Sequence, residues 1–196
     1  MKKKPSKIQK TVTVGMLGAI AYVLMLLNFP FPGFPKFLMI DFSDIPALLA
    51  TIIFGPIAGI LVELLKNILD YMMTGSETGI PVGHIANFIG GIAFILPVYY
   101  IYKKSQTKKG MVIGLIGGTI TLAVLMSIIN YYVLLPVYTA LMGWPVMSGS
   151  EIFTYITTAI VPFNILKGVL LTIIFMLLFS KLQGWINKQS IIGNAS

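Results

Sequence analysis

The sequence predicts an all-α integral membrane protein of six transmembrane helices with both termini in the cytoplasm. Three observations carry this. Hydrophobic residues make up 57% of the 196, and charged residues only 10%, against about 25% in a soluble domain. Several uncharged runs reach the ~20 residues that a helix needs to cross the hydrocarbon core of a bilayer. The basic residues are all lysine, and eleven of the fourteen lie in three clusters, at 2–10, at 103–109 and at Lys181 with Lys188. Such clusters mark cytoplasmic loops and contacts with anionic headgroups.

Each element follows from these rules. The first span, 8–28, combines a basic start with the apolar run TVTVGMLGAIAYVLMLL. That run is longer than a signal-peptide core and leads into more membrane sequence, so it reads as a retained helix. Gly15 and Ala19, with Gly18 and Ala21 beside them, let helix backbones approach closely. Such a stripe serves packing within the bundle or docking of a second membrane protein.

The stretch 45–74 is too long for one ordinary span and carries Glu63, Lys66 and Asp70. Charge parity decides its count. The N-terminus and the 103–109 loop share the cytoplasmic side, so an even number of spans separates them. The stretch is therefore two helices, 43–54 and 57–74, broken at Gly55-Pro56, where proline ends the preceding helix. The first is short, and its polar start at Asp41 and Asp44 is expected at the outer surface. Glu63, Lys66 and Asp70 are spaced three and four apart on one face. They read as a self-neutralised stripe facing the bundle, with a proton or ion relay as the sharper alternative.

The remaining spans are 80–102, 110–142 and 152–182. Tyr99, Tyr100 and Tyr102 mark the inner boundary of the fourth; Trp144 falls in an outer loop, and Trp185 follows the last span. No inverted or direct repeat of the transporter type is visible. The chain reads as one six-helix membrane domain, 1–196.

Candidate functional residues are the polar ones that these spans hold. Lys167 lies in an otherwise uncharged run, three residues after Asn164, so both leave one helix face. An ammonium at bilayer depth costs ~2.5–3.5 kcal/mol on insertion scales, so Lys167 must face protein, water or ligand. It either pairs with a carboxylate on another helix or serves a site. Asn87 and Asn130 fall at similar depth in the outer half, and Pro136 and Pro162 can kink their neighbourhood open. Three asparagines and a lysine together suggest an outward-facing pocket. The outer loop NFPFPGFPKFLMIDFSDIP alternates phenylalanines with prolines. It either dips aromatics into the headgroup layer or forms a lid over a flat ligand.

Other chemistry is excluded or unsupported. There is no cysteine, hence no disulfide, thiolate metal site or cysteine nucleophile. His84, the single histidine, lacks partners for a zinc site or a catalytic triad and reads as a polar residue of the outer loop. No enzyme, metal or nucleic-acid module is indicated. No G-x-x-x-x-G-K-[ST] loop occurs, so ATP hydrolysis by that route must come from a partner.

The stretches GMLGAIAYVLMLLNFPFP, FLMIDFSDIPALL, GHIANFIGG, SIINYYVLLP and VPFNILKG together resemble the substrate-binding membrane subunit (S component) of bacterial energy-coupling-factor vitamin transporters, specifically the riboflavin-specific member. The resemblance covers nearly the whole chain. It implies a six-helix bundle in the cell membrane that binds one riboflavin from outside, with FMN or flavin analogues as variants. By match, Asn130, Asn164 and Lys167 contact the ligand, with Asn87, and Phe37, Leu38, Met39 and Asp41 come from the loop. It also implies docking through Gly15 and Ala19, where the family usually has alanine at both, onto a transmembrane coupling protein that carries two cytoplasmic ATPases. The physical alternatives are an autonomous ion-coupled secondary permease for a small aromatic solute, an intramembrane enzyme and a ligand-free scaffold.

Overall fold

The computed structural model describes residues 6–76 and 78–189. Lys2, Lys3 and Lys4 of the first lysine cluster lie outside them, and the side chains of Trp185 and Lys188 are also outside the description. Helix α1 (Lys7–Leu26) starts at a capping box in which Ser6 and Gln9 exchange side-chain-to-backbone hydrogen bonds of 3.1 and 2.9 Å. This satisfies two of the amides that a helix start leaves unpaired. Its buried residues, Val14, Gly18, Ala21 and Met25, recur every three to four positions. That face packs on α3, where Leu65 fills the space a side chain at Gly18 would take.

The chain then runs through a loop at one end of the bundle. Phe29–Pro30 (β1) pairs antiparallel with Met39–Ile40 (β2), Phe29 opposite Ile40. This small ribbon pins the ends of the Pro/Phe-rich loop. Most of its aromatics pack against the helices. Phe34 meets Phe163 edge-on at 5.6 Å, and Phe37 lies 5.5 Å from Tyr138 and 5.3 Å from Trp144. Phe29 stays exposed.

Helix α2 (Asp44–Phe54) has 11 residues, about 16 Å at 1.5 Å per residue, too short to cross a ~30 Å core. Ten of the eleven are buried, packed among α1, α3, α4 and α8, so α2 is the central rod of the bundle. Its polar start is not at the outer surface, as the sequence suggested. Asp41 and Asp44 are 2% and 1% exposed. A half-length helix starts partway down the bundle, the outer loop covers that start, and lysines from two neighbouring helices neutralise it.

The break before α3 (Pro56–Thr74) falls where the sequence placed it. Gly55 has φ 92, a conformation that a Cβ penalises, and Pro56 opens the helix where a missing N–H does no harm. Helix α4 (Val82–Ser105) lies against α5 (Lys108–Ile129) with small residues at the seam. A Cβ on Gly114 or Gly118 would press on the carbonyls of Val98 and Phe94. A π-helical segment, Asn130–Leu134, joins α5 to α6 (Leu135–Met142), and a second, Ile156–Ile160, joins α7 (Gly149–Tyr155) to α8 (Val161–Gln189).

Among the described residues, four helical rods are long and apolar enough to cross a membrane: Lys7–Leu26, Val82–Ser105, Lys108–Met142 and Gly149–Gly184. Helix α2 is too short, and α3 carries Glu63, Lys66 and Asp70. The last helical rod differs from the expected 152–182 at both ends. That helix starts at Gly149 and runs on to Gln189, so the backbone of Trp185 is inside it rather than after it.

Candidate ligand-binding site

A cavity of about 1070 Å³ opens between the Pro/Phe-rich loop and the helix ends beside it, near the upper end of the usual range for small-molecule pockets. All eight residues singled out as ligand contacts line it: Phe37, Leu38, Met39 and Asp41 from the loop, Asn87 from α4, Asn130 at the α5 junction, and Asn164 and Lys167 from α8. Apolar walls come from Leu122, Met126, Leu134 and Phe163, and ring surface from Tyr138, Trp144 and Tyr155. Tyr138 and Trp144 stack at 5.3 Å. Pockets of this kind, mostly apolar with a few placed polar groups, suit a flat organic ligand.

The asparagines sit beside the two irregular turns. Asn130 opens the first π segment, donates its amide to the Met126 carbonyl at 2.7 Å, and leaves Oδ1 buried with no partner. Asn164, one turn after the second π segment, donates to the Ile160 carbonyl at 2.8 Å. Each amide thus holds its own helix and offers an oxygen to a donor on a ligand. Single π turns of this kind recur at functional sites.

The two readings of Lys167 turn out to be compatible. Its ammonium pairs with Asp41 at 3.1 Å and Asp44 at 3.4 Å, and it also lines the cavity. Behind it lies a closed ring of polar groups. Asp44 uses one oxygen for Lys167 and the other for Lys66, 2.5 Å away. Lys66 donates to the Ser43 hydroxyl at 2.7 Å, and Ser43 donates both its N–H and its hydroxyl to Asp41. Asp41 closes the ring on Lys167. Burial raises the pKa of the Asp41 carboxyl, but the Lys167 and Lys66 ammonium groups and the Ser43 hydrogen bonds outweigh it and hold the group well below the usual carboxylate range.

The stripe on α3 neutralises itself in part, at Glu63 and Lys66, while Asp70 finds its partner on α4. Glu63 pairs with Lys66 at 2.8 Å, and its carboxylate occupies the space left by the missing Cβ of Gly91. Asp70 pairs instead with His84 at 3.0 Å. Asn87 bridges Asn67 and Asp41, accepting from the first at 3.3 Å and donating to the second at 3.4 Å.

Sequence reasoning missed several lining residues. Met126, Leu134 and Tyr138 fall on the four-residue stagger that includes Asn130. His84 and Gly90 flank Asn87 at three residues either side. Extending each polar position by helical spacing would have found them. Trp144 and Tyr155 carry no such signal, because the loop and the turn from α6 to α7 set their position. Gly15 and Ala19 lie on the exposed face of α1, away from the cavity, and a Cβ at Gly15 would meet nothing within 4 Å.

A mostly apolar cavity at one end of a bundle of membrane-length helices, covered by an aromatic loop, is the site of a membrane protein that binds a small organic solute. The description "ECF transporter, substrate-specific component" matches residues 9–179, and the chain belongs to this family. It is 50% identical over 183 residues to the riboflavin transporter FmnP of Bacillus subtilis (strain 168), covering 93% of this chain and 96% of that protein. It is 42% identical over 180 residues to the riboflavin transporter RibU of Staphylococcus aureus (strain TCH60), covering 92% and 93%. Among solved structures it is similar to the S component of a bacterial ECF transporter, with TM-score 0.79 and 41% identity over 92% of this chain and 99% of that one.

Proposed function

We propose that this chain is the high-affinity riboflavin-binding membrane subunit of an energy-coupling-factor transporter and takes up riboflavin with partner ATPases. The observation that carries the reading is the cavity itself, into which the eight ligand-contact candidates converge. The isoalloxazine ring is broad and flat, suited to Phe37, Leu38, Met39 and the apolar wall of α5, α6 and α8. Its pyrimidine edge alternates carbonyls with one N–H. Asn130 and Asn164 oxygens accept from that N–H, and Lys167, held by Asp41 and Asp44, keeps a third N–H for a ring carbonyl.

In this reading the chain passes through the cell membrane six times, with α2 a short segment buried inside the bundle, α3 turning its exposed apolar face at Ile57, Leu61, Leu64 and Ile68 toward lipid, and both termini in the cytoplasm, so the cavity faces outward. The bare stripe at Gly15 and Ala19 docks a transmembrane coupling protein that carries two cytoplasmic ATPases, since the chain has no phosphate loop of its own. An autonomous ion-coupled permease is not favoured, because Glu63 and Lys66 are engaged with each other and with Asp44. The test is titration of purified chain in detergent with riboflavin, read by quenching of flavin fluorescence. Saturable one-to-one quenching at submicromolar ligand is expected. Its absence, together with colourless purified protein, would overturn the flavin assignment.

A further inference from the structure

The cavity is chemically two-sided. The side built by α5, α6 and α8 is mostly apolar, as at Met126, Leu134 and Phe163, with Asn130, Asn164 and Lys167 set into it, whereas α3, α4 and the turn between them contribute Asp70, Thr74, Ser76, Thr78 and His84. The hydroxyls on this second side are already used within the turn. Thr74 donates to the Asp70 carbonyl at 2.7 Å, and Ser76 and Thr78 both donate to the Ile80 carbonyl, at 2.7 and 2.5 Å. His84 is different. Its Nε2 lies 3.0 Å from Asp70 Oδ2, and its Nδ1 is buried without a partner in the protein.

An ionised carboxylate only accepts, so Asp70 places the imidazole proton on Nε2 and leaves Nδ1 with a free lone pair. An unpaired buried acceptor is destabilising until something donates to it. Tyr71 packs edge-on against the ring at 5.4 Å and fixes its orientation. We infer that His84, oriented by Asp70, is the specificity-determining contact for the hydroxylated tail of the ligand, with Nδ1 accepting from one of its hydroxyls. This rests on the flavin reading above: the flat ring takes the apolar side and its pyrimidine edge takes Asn130, Asn164 and Lys167, which leaves the polyol chain for the side that carries His84. Asp70 is then a positioning residue, acting through the imidazole tautomer.

The test pairs two ligands with three variants. Riboflavin carries the polyol; lumiflavin has the same ring system with a methyl in its place. In His84→Phe, which keeps the ring packed on Tyr71 but has no acceptor, riboflavin affinity should fall about ten-fold while lumiflavin affinity stays at the wild-type value. Asp70→Asn should give the same pattern in weaker form. His84→Asn sets an amide oxygen near the Nδ1 position and should restore most of the riboflavin affinity. Lumiflavin binding also reports that each variant is folded. An equal loss for both ligands, or no loss for either, overturns the inference and leaves the flavin reading standing. Wild-type protein that binds neither ligand removes both.

Discussion

Replacing Lys66 with Met tests the charge ring at its most buried point. Lys66 has no exposed surface and lies 2.5 Å from Asp44, 2.8 Å from Glu63 and 2.7 Å from the Ser43 hydroxyl. Methionine is unbranched and adaptable and fills most of the same space, so the cavity penalty is small and the electrostatic one dominates. The substitution leaves three carboxylates, Asp41, Asp44 and Glu63, facing the single ammonium of Lys167. Removing one partner of a buried ion pair typically costs about 3–5 kcal/mol. Thermal and denaturant unfolding in one detergent would measure it. Adding Glu63→Gln removes one of the stranded charges without changing shape, so Lys66→Met/Glu63→Gln should recover at least ~1 kcal/mol relative to additivity, within the coupling seen for contacting groups. A loss under ~1 kcal/mol for the single variant, with an additive double variant, would refute the view that the ring is held together by these charges.

Other outcomes follow from the same geometry. Asn164→Ala or Lys167→Ala should weaken riboflavin binding by ~1–3 kcal/mol, the penalty for an unsatisfied buried partner; fluorescence titration reads it, and wild-type affinity in both would remove these residues from the site. Gly91→Ala should destabilise the protein by ~1–3 kcal/mol, because its Cβ meets the Glu63 carboxylate; unfolding melts with and without Glu63→Ala, which removes the group that clashes, would separate the clash from a general helix effect. Gly15→Leu with Ala19→Leu should abolish riboflavin uptake by cells while leaving binding to the purified chain intact, since both positions lie on the exposed face of α1. Loss of binding in that variant would mean the stripe serves the fold instead.

The helices were legible in the sequence because an apolar run of membrane length has few other fates. The Gly55-Pro56 break was legible because glycine suits φ 92 and proline suits the first position of a helix. Asn130, Asn164 and Lys167 stood out because a polar group in an apolar helix must find a partner or a site. What those groups would find could not be read along the chain. Helical spacing states which residues share a face, but not which neighbour that face meets or at what depth.

Asp41 and Lys167, 126 positions apart, meet only because the short central α2 brings the loop down onto α8. Asp70 was grouped with Glu63 and Lys66 by spacing, yet the packing of α3 on α4 gives it to His84. His84 consequently read as an idle loop residue. By itself the sequence determined a membrane-embedded helical bundle and the polar residues it must accommodate. The tertiary structure decided their partners, because a buried charge is compensated across helices, by rotation and depth that no local pattern encodes.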